Sequence, residues 1–252
     1  MNTHQNSQEP MGENKSIHLG ISHMDMITHE LKTPLSTIIG WCQLLAMSPN
    51  VDAVKWHDAL QKIHKQARVQ EEMLSNLHDF FSIKEGVIKP SPATINLSEA
   101  ISSISHKFDA EIQSGLVTFS IDDINKPHLT QADATLLERI LKILISNAIR
   151  FTREAREGGR ISIKLNSPDK NVCSIEIKDN GIGISKEDLE PIFTAESRFS
   201  RKKRPGTGPG LGVGLYIASS LARLQGGTLT AQSDGPNTGA TFTLKLPRAS
   251  AS

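Results

Sequence analysis

The segment Gly206-Thr207-Gly208-Pro209-Gly210-Leu211-Gly212-Val213-Gly214-Leu215 sets five glycines at alternate positions and then passes into a helical pattern. Free backbone amides at a helix start attract anions, and glycines let a phosphate approach the chain closely. The spacing matches neither G-x-G-x-x-G nor the P-loop pattern. The segment therefore reads as a phosphate-binding turn, and the spacing disfavours the doubly wound and P-loop nucleotide folds. A flexible Gly-rich loop explains mobility but not such even spacing.

The surroundings indicate the architecture. A helix is predicted over Val213–Leu224, closed by Gly226-Gly227 as a C-cap signal. Helical patterns also cover Leu97–Phe108 and Asp133–Phe151, and alternation predicts strands at Leu116–Ile121, Arg160–Leu165, Val172–Lys178, Thr228–Ser233 and Ala240–Leu246. The strands come in adjacent pairs between helices. That order predicts an α/β sandwich with a mixed sheet and helices on one face. Just upstream of the glycines, Arg201-Lys202-Lys203-Arg204 is either a solvated loop or a further hold on a triphosphate. One short cluster without interleaved aromatics argues against nucleic-acid binding.

Two further sites fall on these elements. The strand ending in Asp179-Asn180-Gly181-Ile182-Gly183 presents an acceptor-only carboxylate followed by glycines. That suits an exocyclic amino group such as that of adenine, although Asp-Asn-Gly is also a common turn. The helix before it carries Leu137, Ile140, Leu141, Leu144, Ala148 and Phe151 as a buried face, with Asn147 beside it. Asn is a poor helix former. An amide oxygen there suits a hard cation such as Mg²⁺ and equally suits a structural role.

The N-terminal part is different. Residues 1–17 are polar and read as a disordered tail. Ile27, Leu31, Leu35, Ile38, Cys42 and Leu45 form one helical stripe, Ser48-Pro49-Asn50 interrupts it, and Val54, Leu60, Ile63, Ala67, Leu74, Leu77 and Phe81 form a second. Residues 18–84 thus form an antiparallel hairpin, residues 85–94 with a Gly and two prolines a linker, and residues 95–248 the α/β domain. One hairpin cannot bury both stripes, so a homodimer forming a four-helix bundle is expected. Inside the first helix, His29 lies two residues from both Ile27 and Leu31 and points away from the stripe. A neutral imidazole there is an accessible nucleophile, and Glu30 is placed to accept its other N–H. A solvated His–Glu pair is the plainer alternative. Pro34 removes a backbone donor and predicts a bend. His57, His64 and His78 fall seven or fourteen residues apart, at least ~10 Å along the helix, too far to share a metal.

Composition fits these readings. The 252 residues carry a net charge of +1, which supplies no global pull toward nucleic acid or anionic membrane. Cys42 and Cys173 have no metal-like spacing and fit a reducing, cytoplasmic setting. No apolar run approaches the ~20 residues of a membrane span.

Taken in order, these segments resemble the sensor histidine kinases of two-component systems. His29-Glu30-Leu31-Lys32-Thr33-Pro34-Leu35 resembles the H box, the segment around Asn147 the N box, Asp179–Gly183 the G1 box, Ile192-Phe193 the start of the F box and Gly210–Leu215 the G2 box. The resemblance implies a dimerising hairpin followed by a Bergerat-type ATP-binding α/β sandwich. It implies that His29 is the phosphoacceptor, Glu30 its general base and Asn147 the Mg²⁺ ligand. Arg150 would stand near the phosphates and Phe151 near the adenine. Asp179 would read the adenine amino group, flanked by Gly181 and Gly183. Residues 186–210 would form an ATP lid hinged at Gly210, Gly212 and Gly214, with Leu215 closing the box. The partners implied are a second copy and the receiver domain of a response regulator. In His-Glu-x-x-Thr families the position of Thr33 is associated with phosphatase activity. Two departures stand out: Ile143 replaces an Asn common in the N box, and Phe199 takes the place of a second F-box Phe expected near Glu196. The rival readings are a non-catalytic histidine phosphotransfer or scaffold protein with a degenerate ATP domain, and another Bergerat-fold ATPase, which would lack the His29–Pro34 motif.

Overall fold

A computed structural model describes residues 21–47, 52–115, 117–124, 127–152, 158–194 and 210–249. The expected tail, Ser48–Asn50, Phe199, the basic cluster Arg201–Arg204 and Gly206 and Gly208 lie outside the described residues.

Two long helices come first, α1 (Ile21–Met47) and α2 (Ala53–Lys84), packed on each other. Asp52 caps α2, its side chain accepting from the backbone N–H of Lys55 at 2.9 Å. α1 runs through Pro34, and the ring itself is buried. Proline removes the N–H that would bond the carbonyl of Glu30. One turn back, the Thr33 hydroxyl donates to the His29 carbonyl at 3.0 Å.

The remainder is an α/β domain. It comprises β1 (Ala93–Asn96), α3 (Leu97–His106), α4 (Asp109–Gln113), β2 (Val117–Asp122), β3 (Leu129–Ala132), α5 (Ala134–Thr152), β4 (Gly159–Asn166), β5 (Val172–Asp179), α6 (Gly214–Leu224), β6 (Thr228–Gln232) and β7 (Ala240–Pro247). The main sheet has the order β2-β4-β5-β7-β6. β2 and β4 are parallel and every other pair is antiparallel, so the sheet is mixed as expected.

Register explains why one face is covered. Ile163 stands opposite Ile177, Leu165 opposite Ile175, and Ile177 opposite Phe242. These side chains share one face and are buried, whereas Lys164, Glu176, Lys178 and Thr243 stand on the other. α5 and α6 cover the apolar face, and α3 packs against α5. α5 is buried on more than the expected stripe, because Ile143, Ile145 and Ile149 are enclosed as well.

Three elements lay outside the sequence reading. β1 and β3 pair antiparallel as a separate two-stranded sheet, and β1 begins at Ala93, inside the segment expected to be linker. Both strands are four residues long, too short to show alternation. α3 ends at His106 and a separate turn of helix, α4, follows. Between β3 and α5, Asp133 accepts from the N–H groups of Thr135, Leu136 and Ser91. These backbone donors, Ser91 first, hold its carboxyl below the usual range.

Candidate nucleotide-binding site

β5 is the central strand, and Asp179 is its last residue. Its side chain points to the helical face and is 5% exposed. Desolvation pushes its carboxyl above the usual range, opposed by the backbone N–H groups of Gly181 and Ala240. The Gly181 bond is 2.8 Å. The neighbouring chain leaves no room for side chains. A Cβ at Gly181 would come within 2.5 Å of the Phe151 carbonyl oxygen. Gly183 has φ +66°, and a Cβ there would meet the Gly235 carbonyl oxygen at 2.0 Å. Asn180 pins the other side, accepting from the Arg160 N–H at 2.7 Å and donating to the Gly158 carbonyl at 2.9 Å.

A brace that sequence reading missed holds this loop. The Ser233 hydroxyl accepts from the Ile184 N–H at 3.0 Å and donates to the Gly239 carbonyl at 2.6 Å. The Asn237 N–H donates to the Ile182 carbonyl at 2.7 Å. Residues Ser233–Gly239 carry strong turn composition, so a loop was legible there. Its target was not, since it lies some fifty residues downstream of Asp179.

The second part of the site is a pocket lined by Ile143, Ser146, Asn147, Arg150 and Phe151 of α5 and by Gly210, Leu211, Gly212, Gly214 and Leu215 at the start of α6. Asn147 accepts weakly from Arg150, Nη2 to Oδ1 3.4 Å, and the guanidinium of Arg150 stacks 4.6 Å from the centre of the Phe151 ring. Ile143 packs against the glycine turn, its Cγ2 lying 3.3 Å from where a Cβ on Gly214 would stand. A side chain at Gly214 would press on Ile143, which would have to give way. Asp179, Gly181 and Gly183 do not line this pocket; Gly181 abuts the backbone of Phe151, which does. The F-box residue Phe193 packs edge-on against Phe242 at 6.5 Å.

Val69, Glu72, Met73 and Asn76 of α2 complete the pocket wall. Nothing in their sequence marked them. They read there as ordinary positions of a long helix.

The residues of the H box lie elsewhere. The His29 side chain is 81% exposed, and its Nδ1 lies 4.0 Å from Oε1 of the largely buried Glu30. That is longer than a hydrogen bond but turns Nδ1 toward the carboxylate. His29, Glu30 and Thr33 do not line the pocket. His57 bonds to Gln61 at 2.9 Å, and His78 faces Asp79 at 3.8 Å. Among the described residues, no three His, Cys, Asp or Glu side chains gather as a metal cluster. Asn147 alone fits a Mg²⁺ ion that keeps its waters and phosphate ligands.

An exposed histidine on a helical hairpin, followed by a mixed sheet with an acidic strand end and a glycine-lined pocket, defines a histidine-kinase core. Family comparison agrees. Residues 23–86 match the His Kinase A (phospho-acceptor) domain and residues 132–250 the histidine kinase-, DNA gyrase B- and HSP90-like ATPase domain. The chain belongs to the sensor histidine kinases of two-component systems. It is 31% identical over 228 residues to the hybrid signal transduction histidine kinase D of Dictyostelium discoideum, covering 88% of this chain and 14% of that protein. It is 30% identical over 221 residues to the histidine protein kinase SaeS of Staphylococcus aureus, covering 87% of this chain and 61% of that one. The chain therefore spans only part of these relatives. A crystal structure of histidine kinase ThkA in complex with response regulator protein TrrA superposes with a TM-score of 0.65 at 20% identity, over 92% of this chain and 62% of that chain, which supports the fold.

The buried carboxylate yields a prediction of two opposite signs. Its raised folded-state value means that Asp179 favours folding below the ordinary carboxylate value of 3.8, and that this contribution is lost as pH rises through the folded value. At pH 7 the charged group is a net cost. Asp179→Asn is expected to raise the stability of the nucleotide-free protein at pH 7, because it removes a desolvated charge. The same change is expected to weaken ATP-analogue binding at least tenfold, because an amide presents a donor where an acceptor is wanted. Thermal melts and a fluorescent ATP-analogue titration with Mg²⁺ check the two halves. Unchanged affinity would remove Asp179 from the site.

Proposed function

We propose that the chain is an ATP:protein-histidine phosphotransferase that phosphorylates His29 and passes the phosphoryl group to an aspartate of a response-regulator receiver domain. The observation that supports this best is the placement of the pocket against the hairpin. His29 lies 18 residues before the end of α1 (47 − 29), and Glu71 lies 18 residues after the start of α2 (71 − 53). At 1.5 Å per residue both stand roughly 27 Å from the turn. The pocket lies against Val69–Asn76 of α2, and so at the height of His29 along the hairpin.

In this reading Asp179 accepts from the adenine amino group. The amides at Gly210, Gly212 and Gly214 and the Arg150 guanidinium hold the phosphates, and Asn147 is the protein's ligand to Mg²⁺, which neutralises phosphate charge when bound. Nε2 of His29 attacks the γ-phosphorus in line, the bond to the β–γ bridging oxygen breaks and ADP leaves. Glu30 takes the proton from Nδ1. The carboxylate and the ring close from 4.0 Å to hydrogen-bond distance for that step. The division into residues 18–84, 85–94 and 95–248 and a cytoplasmic setting accompany this reading. Among the described residues no helix is long and apolar enough to cross a membrane.

His29→Gln is expected to keep nucleotide affinity and abolish labelling from γ-labelled ATP, with the wild-type label acid-labile and base-stable. Label retained in the variant would place the acceptor elsewhere.

The chain acts as a homodimer. Leu35, Leu44 and Met47 of α1 and Leu60, Leu74 and Phe81 of α2 are exposed in a single copy. Residues of this kind at helical spacing fit the core of a four-helix bundle. Sedimentation of the chain at micromolar concentration is expected to give the dimer mass. A monomer there would contradict the bundle.

Thr33 supplies a second activity toward the same partner, loss of phosphate from the regulator. It stands one turn after His29 on the same face, exposed, with its proton on the His29 carbonyl and its lone pairs free to orient a water. Thr33→Ala is expected to leave His29 labelling intact and slow decay of a pre-phosphorylated regulator several-fold with ADP present. Matching decay rates would leave Thr33 with only its bond to the preceding turn.

A further inference from the structure

The α2 residues on the pocket belong to a longer stripe. Val69, Glu72, Met73, Asn76, Asp79 and Phe80 recur every three or four positions, so they share one face. That face is not the bundle stripe of Leu60, Leu74 and Phe81. It is covered by the nucleotide domain. Arg139 of α5 donates from Nε to Asp79 Oδ2 at 2.6 Å and from Nη2 to Asn76 Oδ1 at 2.9 Å, with Arg139 and Asp79 side chains only 16% and 22% exposed. Beside them Phe80 is fully enclosed, 5.5 Å from the ring of Tyr216 on α6, and the Lys84 ammonium lies over both rings. Charged donors and acceptors at these distances make directional bonds, stronger than neutral ones. Asn76 belongs to both assemblies: it accepts from Arg139 and lines the nucleotide pocket.

We infer that Arg139, Asp79 and Asn76 form a latch that, when closed, seats the α2 stripe across the phosphate end of the nucleotide pocket and lowers nucleotide affinity. The inference rests on the reading of this pocket as the ATP site. Two features set the direction. The closed latch brings the Glu72 carboxylate, exposed on the rim, to the pocket that Arg150 and Asn147 also line, where a triphosphate would carry its negative charge. Like charges repel, and a carboxylate on the rim opposes a triphosphate by the modest amount that solvent screening leaves. Val69, Met73 and Asn76 of α2 also form part of the pocket lining, so the closed latch narrows it. A triphosphate and a closed latch therefore compete. By linkage, whatever weakens the latch tightens nucleotide binding, and bound nucleotide opens the latch by the same factor. Arg139 is a positioning residue. It touches neither nucleotide nor His29 and acts through α2.

The test uses the full chain and a fluorescent ATP analogue with Mg²⁺, alongside hydrogen exchange of residues 69–84. Arg139→Glu and Asp79→Lys are each expected to tighten the analogue about five- to tenfold and to speed exchange along 69–84. The double variant, with the pair reversed, is expected to return both readouts toward wild type. A merely structural pair would not produce tighter binding in the single variants or this rescue. Glu72→Gln on the exposed rim keeps the idea testable if a charge reversal unfolds the domain. It is expected to tighten the analogue with exchange along 69–84 unchanged. Single variants that bind no tighter than wild type, or a Glu72→Gln with unchanged or weaker affinity, would overturn the latch. If the wild type bound no nucleotide at all, the ATP-site reading would fall and the latch with it. A wild type that binds while the variants bind equally well removes the latch alone.

Discussion

A single buried carboxylate organises the nucleotide domain. Asp179 ends the central strand on its apolar face, where an uncompensated charge would cost several kcal/mol. Two backbone N–H groups, from Gly181 and Ala240, reach it and offset part of that cost. Both come from chain that must pass very close, and the close passage dictates the sequence around it. Gly181 lies on the Phe151 carbonyl, Gly183 on Gly235, and Gly239 on the Asp179 backbone itself, where a Cβ would sit 2.0 Å from the carbonyl oxygen. The Ser233 hydroxyl and the Asn180 amide then lock these segments together. The strand end is thus rigid before any ligand arrives, which is the condition for a directional acceptor to select its donor.

Legibility in the sequence followed the range of the interactions. Periodicity reports which face of one element is apolar, and it located both hairpin helices, α5, α6 and the five strands of the main sheet to within a few residues. It could not show β1 or β3. Four residues such as Ala93-Thr94-Ile95-Asn96 have no period to read, and their pairing with Leu129–Ala132 is set by tertiary packing. The glycines at 181, 183, 210, 212 and 214 were conspicuous by their spacing; close approach of backbone accounts for Gly181 and Gly183, and a positive φ for Gly212. The Ser233–Gly239 brace was visible as a loop but not as a partner to Asp179. Ile143, which departs from the family pattern, packs on Gly214 and is explained by shape.

The hairpin shows the same division more sharply. Periodicity assigns α2 one apolar stripe, through Leu60, Leu74 and Phe81, and those residues are exposed in a single copy. The residues of α2 that are buried are Ala59, Met73 and Phe80. Met73 and Phe80 lie on the other face, against the nucleotide domain. That second stripe mixes Glu72, Asn76 and Asp79 with its apolar members, so its mean hydropathy is unremarkable and no periodic signal rises from it. An interface that opens and closes needs this character. An apolar stripe would weld the domains, whereas polar groups that are satisfied both by each other and by water leave the closed and open arrangements close in free energy.

The two reacting ends are built on opposite physical terms. The proposed nucleophile, His29, stands 81% exposed on a helix that buries Ile27 and Pro34 around it. Of the groups proposed to recognise the nucleotide, Asp179 is buried and held by backbone N–H groups, and Asn147, Arg150 and Phe151 are half-buried beside the glycine turn. A solvated imidazole is open to two different partners in turn, the phosphate donor and the receiver domain, and so has to be accessible. A triphosphate has to be held still and stripped of water for in-line attack, so its site has to be enclosed. Neither requirement tolerates the other at one place in one rigid structure. Separating them onto a hairpin and a domain, joined by a short segment and touching through the mixed face of α2 that carries Met73 and Phe80 beside Asn76 and Asp79, meets both. The contact between the domains then becomes the variable that sets how often the two ends meet.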